Sequence, residues 1–443
     1  MTSYKKLILA SSLILLAGCN SGSGSQTSTT EHSKTPTTEH SKTPTTEHSK
    51  TPTTEHSKTP TTEHSKTPTT EHSKTPTTEH SKTPTTEHSK TPTTEHSKTP
   101  TTEHSKTPTT KKVTKPVADY NFTDEELRKL ARERIEVLKS VKLTYDGQVY
   151  SQMLFGEGLD DNRAIIRLMN ENNDTVDLMI DRNEKAECII YNDNTKNKVK
   201  FDCGKDKQSV GNETTLIMAK LATLEYNNDD FEYLSHIGST VLTAINEGDG
   251  VDIETSAAFK DFLHDIFGKD VSEYDQNSST LGVSTLLQLG SIVHTYEGRE
   301  MMLKFDNIIN GSVDDDVNMY TGLMIRNNEI NTMITKNGSV FSGGTDLFSA
   351  GVVRILERKA PIDVIELNKQ VGVHSWSDGK KTAKEIPYSD VSHRKQATYF
   401  KTMLGDKGVD FYMYMLDSAP ASGEHWVTMK ESKKYNLISG ILD

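Results

Sequence analysis

An eight-residue repeat limits which part of this chain can fold. The unit reads TPTTEHSK, and its Glu-His-Ser-Lys core occurs ten times, first at Glu31 and last at Glu103. No residue of the unit has a large apolar side chain, so the repeats cannot bury a core and are predicted to stay disordered. Any hydrophobic core must therefore form from residues 111–443.

The repeats have the composition of a spacer. Proline at every eighth position favours extended polyproline-like conformations, in which residues 19–117 would span roughly 300 Å. As a flexible coil the same segment would separate its ends by about 50 Å. The repeats hold ten of the sixteen histidines, but structural metal sites need convergent ligands, which these neighbours do not supply. We therefore interpret the segment as a stalk and expect no metal site.

Residues 1–18 have the pattern of an export signal. Lys5 and Lys6 give a positive start, and an apolar run follows from Leu7 to Leu16. This run is too short to cross a bilayer core, which needs roughly 20 apolar residues. The ending Leu-Ala-Gly-Cys resembles the lipobox of bacterial lipoproteins. The resemblance implies that Cys19 is lipidated and anchors the mature chain to a membrane, since two or more acyl chains anchor stably.

The residues that follow Cys19 indicate a membrane, and the net charge of the folded part argues against one class of partner. Asn20 and Ser21 follow Cys19. Neither is an aspartate, which at this place would resemble an inner-membrane retention signal, so the outer membrane is favoured. The chain carries a formal charge of −12 and residues 1–110 carry +2, which leaves −14 on residues 111–443. An acidic folded part argues against nucleic acid as a partner, because phosphate binding needs a basic face. We expect a lipid-anchored protein of the cell envelope, on the periplasmic face or the cell surface.

Residues 118–275 predict a smaller α+β domain of unknown role. Thr123 followed by Glu126 is typical of a helix start. Apolar spacing predicts two further helices, and alternation predicts two strands. The predicted helices cover 214–226 and 257–267, and the predicted strands cover 164–169 and 175–180.

Two cysteines follow Cys19 in the sequence, Cys188 and Cys203. Both lie in strand-like segments, and residues 192–197 between them have turn chemistry. An exported protein can keep a disulfide. We predict a hairpin closed by a Cys188–Cys203 bridge, which would stabilise the fold by roughly 3 kcal/mol.

Residues 278–443 predict an α/β domain. Strands are expected at 301–305 and 330–334, a helix follows the first of them from Asp314, and residues 308–312 are expected to turn. A glycine-rich turn at 338–344 leads into another helix at 345–350. The order strand, helix, strand, turn, helix is typical of a mostly parallel sheet.

Four segments of this region resemble the proteolytic subunit of the Clp protease and, more closely, exported ClpP-like proteins of the ClpP/crotonase superfamily. The segments are the turn GSVFSGG at 338–344, the strand VGVHS at 371–375, the closing segment at 423–438 and the NGSV loop at 310–313. The match covers most of residues 285–440. It implies an α/β fold built of βαβ units, in which Ser342 is the nucleophile, His374 the base and Glu424 the acid. It also implies that the amides of Gly311 and Gly343 form an oxyanion hole.

These side chains are the ones that hydrolysis by a serine requires. A serine hydroxyl reacts poorly until a base removes its proton, and imidazole can do so near neutral pH. A carboxylate on the far ring nitrogen fixes the tautomer and stabilises the imidazolium. We expect a membrane-anchored serine hydrolase of the peptidase kind, which acts on a peptide or other acyl substrate without a cofactor.

Two alternatives remain open at this point. An α/β-hydrolase would use Ser342, then Asp410 or Asp417, then His425 in chain order, although its nucleophile turn normally has a glycine two residues before the serine. Alternatively, Ser342 is only a helix cap, and the chain is a catalytically inactive, stalked binding lipoprotein. Residues 375–393 are polar and turn-rich, and predict either a lid or a plain surface loop.

The lipid anchor gives a direct prediction. Replacing Cys19 with serine removes the thiol that lipidation needs, so the Cys19→Ser protein should not incorporate an alkyne-tagged palmitate and should leave the membrane fraction. Cys203→Ser, which keeps the signal intact, should still be labelled. Equal lipid incorporation by the Cys19→Ser and unaltered proteins would contradict the lipoprotein interpretation.

Overall fold

A computed structural model describes most of the chain after residue 113. The described residues are 114–160, 162–181, 187–202, 207–210, 213–218, 222–227, 231–234, 236–268 and 276–443. The predicted signal, Cys19 and the repeat stalk lie outside these residues. Within the described ranges, no helix has the length and apolar character needed to cross a bilayer.

The first part consists of one helix and a nine-stranded antiparallel sheet. Helix α1 covers Asp124–Val137, and the strands are β1 (Val141–Tyr145), β2 (Gln148–Gly158), β3 (Arg163–Asn170), β4 (Thr175–Asp181), β5 (Glu187–Asn192), β6 (Asn197–Asp202), β7 (Lys207–Val210), β8 (Glu213–Met218) and β9 (Ala222–Asn227). Their spatial order is β6-β5-β4-β3-β2-β1-β9-β8-β7. The hydroxyl of Thr123 accepts a hydrogen bond from the Glu126 amide at 3.2 Å, as the helix-start pattern predicts.

The predicted helix over residues 214–226 is wrong, because this stretch forms the hairpin of β8 and β9. Along β9 the side chains of Ala222, Leu224 and Tyr226 are buried, whereas the intervening Thr223 and Glu225 are half-buried. That alternation has the period of two of a strand with one face on the core. The predicted helix over 257–267 is present, in a shorter form starting at Lys260.

The predicted cysteine hairpin is present in β5 and β6. Glu187 lies opposite Asp202 in the antiparallel register. Cys188 is buried in β5 and is disulfide-bonded. Its predicted partner, Cys203, follows β6 in the sequence and lies outside the described residues, so the pairing remains a prediction.

The second part contains two further sheets. Its elements are α2 (Phe231–Leu234), β10 (Thr240–Glu247), β11 (Gly250–Ala257), α3 (Lys260–Phe267), β12 (Ser278–Leu281), α4 (Val283–Thr295), β13 (Glu300–Phe305), β14 (Ile308–Ser312), α5 (Asp315–Asn327), β15 (Asn331–Ile334), β16 (Ser339–Phe341), α6 (Gly343–Ser349), β17 (Arg354–Glu357), β18 (Val371–Val373), α7 (Val391–Leu404), α8 (Gly408–Ser418), β19 (His425–Trp426), α9 (Met429–Tyr435) and β20 (Gly440–Leu442). Short 3₁₀ helices cover Ile365–Asn368, Ala383–Glu385 and Gly405–Lys407.

From β11 to β18, consecutive strands alternate between the two sheets. The six-stranded sheet has the order β10-β11-β13-β15-β17-β20, and the five-stranded sheet has the order β12-β14-β16-β18-β19. All neighbours are parallel except the pair β10–β11 and the pair β18–β19. The α/β class predicted for this region is confirmed. The repeating unit, however, is two strands and a helix, because residues 308–312 form β14 rather than the predicted turn.

The predicted boundary at residues 275–278 does not separate two cores. Strand β11 precedes the boundary yet pairs with β13, with Val251 opposite Met301. One cluster of buried apolar side chains extends from Leu130 in α1 to Leu437 near the last strand. The described residues belong to one compact unit, so the two predicted regions share a core.

A glycine at the junction between the two parts gives a stability prediction. Gly238 has φ +90°, and a Cβ there would lie 2.6 Å from the Gly282 amide nitrogen at the start of α4. Gly298 has φ +84° with no atom within 4 Å of the same position. Gly298→Ala should therefore cost only the left-handed backbone penalty of about 1–2 kcal/mol. Gly238→Ala should cost a further ~1–3 kcal/mol for the crowding.

Urea unfolding of the two variants measures this difference in the free energy of unfolding. Equal losses of stability for Gly238→Ala and Gly298→Ala would contradict the close backbone contact at this junction.

Candidate active site

Three of the predicted site residues lie at the ends of three adjacent parallel strands. Gly311 is near the end of β14, Ser342 directly follows β16, and His374 directly follows β18. Strand β16 pairs with β14 on one side and with β18 on the other. Because the carboxyl ends of parallel strands meet at one edge of a sheet, this pairing brings the three residues together.

Ser342 occupies a sharp turn between β16 and α6. Its backbone has φ +53° and ψ −123°, a conformation that costs a residue other than glycine of order 1–3 kcal/mol. The Ser342 amide donates to the Gly372 carbonyl at 3.2 Å, and the Thr345 hydroxyl donates to the same oxygen at 2.6 Å. These two bonds hold the strained turn against β18.

The side chain of His374 bridges Ser342 and a backbone carbonyl. The ring Nδ1 lies 2.7 Å from the carbonyl oxygen of Ala421, which can only accept, so Nδ1 is the protonated nitrogen. In the neutral ring Nε2 is then an acceptor, and the Ser342 hydroxyl donates to it at 2.8 Å. The Phe341 ring packs against the imidazole with 4.7 Å between centroids. This tautomer is the one that a general base for Ser342 needs.

Glu424 is not placed where the resemblance implied. Its side chain is 55% exposed, and its Oε1 accepts from the Lys369 ammonium at 3.3 Å. The nearby Trp426 indole N–H and the Lys369 ammonium lower the pKa of Glu424. The Ala421 carbonyl occupies the position on His374 that a triad carboxylate would take. The structure therefore brings together Ser342 and His374 but not the predicted acid.

Glu424 nevertheless borders the same cleft as His374. The cleft has a volume of about 420 Å³ and is lined by Phe341, His374 and residues 421–424. Strand β19 runs antiparallel to β18, with Val373 opposite His425. The residues before β19 consequently lie at the edge of the sheet where β18 ends, which explains how this loop reaches His374.

The residues of the α/β-hydrolase alternative are paired elsewhere. In that alternative His425 would contact Ser342, but the Ser342 hydroxyl is hydrogen-bonded to His374 instead. The pairs are Asp410 with Lys115 at 2.6 Å, Asp417 with Lys384 at 2.8 Å, and His425 with Glu431 at 3.1 Å. The geometry therefore does not assemble this second set of residues.

The two predicted oxyanion glycines lie on either side of the Ser342 turn. Gly311 has φ +143°, and a Cβ there would be 3.3 Å from the Ser342 Cβ. A Cβ on Gly343 would overlap the Ser312 hydroxyl and lie 2.7 Å from the Ser312 amide nitrogen. Both positions therefore favour glycine. The Ser342 amide is bonded to Gly372. The Gly343 amide, which follows it in the chain and lies in the first turn of α6, has no intrahelical acceptor and is therefore the candidate donor.

Sequence reasoning missed Phe341 and Ala421. Phe341 carries no polar group, and Ala421 contributes only its backbone carbonyl, which any residue would offer. Neither position therefore has a chemical signal in the sequence, and each acquires its role from the strand pairing.

The segment after His374, predicted as a lid or surface loop, is anchored by a buried histidine. The Trp376 indole donates to the Tyr412 hydroxyl at 2.9 Å, and that hydroxyl lies 2.7 Å from Nδ1 of His393. Nε2 of His393 donates to the Ala383 carbonyl at 2.9 Å. Burial lowers the pKa of His393, so the ring is held neutral between the segment and helices α7 and α8.

Comparisons with known proteins give a partial fold likeness. No family model and no curated protein matches the chain. Similar solved structures include DspI of Pseudomonas aeruginosa, which is 11% identical over 46% of this chain and 73% of that chain with a TM-score of 0.27. A methylmalonyl CoA decarboxylase (11% identical, 46% and 67%, TM-score 0.29) and an enoyl-CoA hydratase from Bacillus anthracis (12%, 45% and 69%, TM-score 0.28) are similar to a comparable extent. Likeness at this level carries no conclusion about activity.

The position of Glu424 leads to a prediction. Because its carboxylate does not touch His374, Glu424→Gln should change the rate of reaction with a fluorophosphonate less than about threefold, whereas neutralising a true triad carboxylate costs ~10⁴-fold. His374→Gln, which removes the base, should slow the reaction by about 10²-fold or more. A loss in Glu424→Gln as large as that in His374→Gln would show that Glu424 acts on the imidazole during the reaction.

Proposed function

We propose that this chain is a serine hydrolase in which Ser342 is the nucleophile and His374 the general base. The observation that carries the proposal is the 2.8 Å contact between the Ser342 hydroxyl and Nε2 of His374, made by a serine in a strained turn. A helix cap needs no such conformation, since caps normally have an extended backbone. Strained residues held by their surroundings are characteristic of functional sites.

The reaction follows from this geometry. Ser342 Oγ attacks the carbonyl carbon of an acyl substrate as its proton passes to Nε2 of His374. The tetrahedral intermediate collapses, the leaving group takes that proton from His374, and an acyl ester remains on Ser342. Water then attacks the ester after losing a proton to the same nitrogen, and the acid product departs as Ser342 Oγ regains its proton.

The amides of Gly343 and Gly311 are the proposed donors to the negative oxygen of the intermediate. The absence of side chains at both positions lets the substrate carbonyl approach the backbone closely. Loss of one such donor typically lowers the rate by about 10²–10³. The Gly311 backbone at φ +143° lies against Ser342, which supports its inclusion.

The Ala421 carbonyl affects how effective the base can be. A carbonyl fixes the tautomer of His374 as a carboxylate would, but it offers only a partial charge to the imidazolium. The proposed enzyme should therefore depend on substrate binding and oxyanion contacts for much of its rate, as triads without their acid do. Esters and reactive acyl groups are its easiest substrates, and peptides are the harder class.

We also propose that this activity is tethered to the cell envelope. The support is the signal-like start of the chain, the lipobox ending at Cys19 and the neutral stalk that follows. A tethered hydrolase meets only what reaches its own surface. Its substrate is then an envelope or extracellular molecule rather than a cytoplasmic one.

Covalent labelling tests the proposed nucleophile. A fluorophosphonate should label the purified full-length protein, and Ser342→Ala should abolish the label because the attacking oxygen is gone. Ser291→Ala, which alters an exposed serine of α4, is the matched control and should label as the unaltered protein does.

Two outcomes would contradict the proposal. Label that survives Ser342→Ala would exclude Ser342 as the nucleophile. Complete failure to label from mildly acidic to mildly basic pH would favour the inactive binding lipoprotein.

A further inference from the structure

The surroundings of the Ser342 turn are acidic, and the acids differ in how they are neutralised. At the start of α5, Asp314 pairs with Arg134 at 2.6 Å and Asp316 pairs with Lys395 at 2.9 Å. Burial raises the pKa of Asp315 between them, a shift that the nearby His374 only partly opposes. Asp315 pairs with no lysine or arginine among the described residues. Its carboxylate instead accepts from the Ser312 hydroxyl at 2.8 Å.

A second carboxyl lies beneath the same turn. Asp346 is in α6, one helical turn after Ser342, and only 6% of it is exposed. Its Oδ1 is buried without a hydrogen-bond partner among the described residues. Burial and then the neighbouring charge of Asp315 raise the pKa of Asp346 well above its ordinary range. The carboxyl groups of Asp315 and Asp346 are therefore close enough to repel each other when both are ionised.

Asn318 adds a third acceptor. It lies one turn after Asp315 on α5 and is 3% exposed. Its amide nitrogen donates to the Gly343 carbonyl at 2.9 Å, which orients the amide oxygen away from that carbonyl. This oxygen also lacks a donor within the described part of the chain. A buried acceptor without a donor costs about 1–3 kcal/mol, so two on the helices α5 and α6 that adjoin the Ser342 turn indicate that a donor belongs there.

We propose that Asp315, Asn318 and Asp346 form a recognition subsite for a cationic side chain, lysine or arginine, in the acyl part of the substrate. The inference rests on the proposed hydrolase function. An ammonium or guanidinium group carries several N–H donors and a positive charge, and it has no acceptor that would conflict with these oxygens.

The same charges would make the subsite act on rate as well as on binding. When Asp315 or Asp346 is ionised, its carboxylate beside Ser342 opposes the negative oxygen that forms during attack, because like charges repel most strongly where water is excluded. A bound cation cancels that repulsion. Asp315, Asn318 and Asp346 are thus specificity-determining residues, and neutral or acidic substrates should react more slowly.

Peptidyl diphenyl phosphonates that differ in one side chain test this inference on the full-length protein. The side chain next to phosphorus is lysine, norleucine or glutamate, so length is kept while charge changes. The lysine probe should modify Ser342 at least about tenfold faster than the norleucine probe, and the glutamate probe should be slowest. Asp315→Asn should reduce the ratio of lysine to norleucine rates towards one. Asp316→Asn, which alters the aspartate paired with Lys395, should leave the ratio unchanged.

The outcomes separate this inference from the proposed function. Equal rates for lysine and norleucine with Ser342 still modified would overturn the subsite and leave the hydrolase intact. Equal slowing of both probes by Asp315→Asn would also overturn it, because a structural role alone predicts that result. Rates that depend on added Ca²⁺ rather than on the probe would assign the oxygens to a metal ion instead. Failure of every probe to modify the protein would overturn the hydrolase itself.

Discussion

The parallel pairing of β16 with β18 is the interaction on which the candidate site depends. Val340 lies opposite Val371 and Phe341 opposite Gly372. Ser342 follows β16 directly and His374 follows β18 directly, so the two residues lie at the same edge of the sheet. The Gly372 carbonyl accepts from the Ser342 amide and thereby fixes the turn that carries the serine. No larger residue fits at this position, because a Cβ there would overlap the Phe341 ring and lie 2.9 Å from Trp426.

The two-sheet arrangement turns this local pairing into a site. Because consecutive strands from β11 to β18 alternate between the two sheets, the carboxyl ends of β14, β16 and β18 lie together at one edge of the five-stranded sheet. Gly311, Ser342 and His374 meet there although long stretches of chain separate them. The antiparallel strand β19 adds the loop that contains Ala421. Helix α1 supports the same edge from outside, because Arg134 holds Asp314 at the start of α5.

The sequence identified the residues whose chemistry depends on their own side chains. Ser342 and His374 stand out because a glycine-rich turn and a strand-end histidine have recognisable patterns, and the structure brings their side chains together. The role of Glu424 could not be predicted in this way, because its carboxylate pairs with Lys369, which lies in another segment of the chain. Ala421 acts through its backbone, which no residue type reveals. Residues 214–226 show a similar limit for secondary structure. Apolar spacing over such a short stretch fits either a helix or a hairpin, and only the tertiary packing distinguishes the two.

The proposed chemistry depends on Ser342 and His374 acting as nucleophile and base beside the amides of Gly343 and Gly311. A crystal structure of the protein after reaction with a fluorophosphonate tests it most directly. We expect phosphorus bonded to Ser342 Oγ and a phosphonyl oxygen within about 2.7–3.1 Å of the Gly343 amide nitrogen. Phosphorus bonded to any other residue, or a phosphonyl oxygen facing away from both glycines, would contradict it.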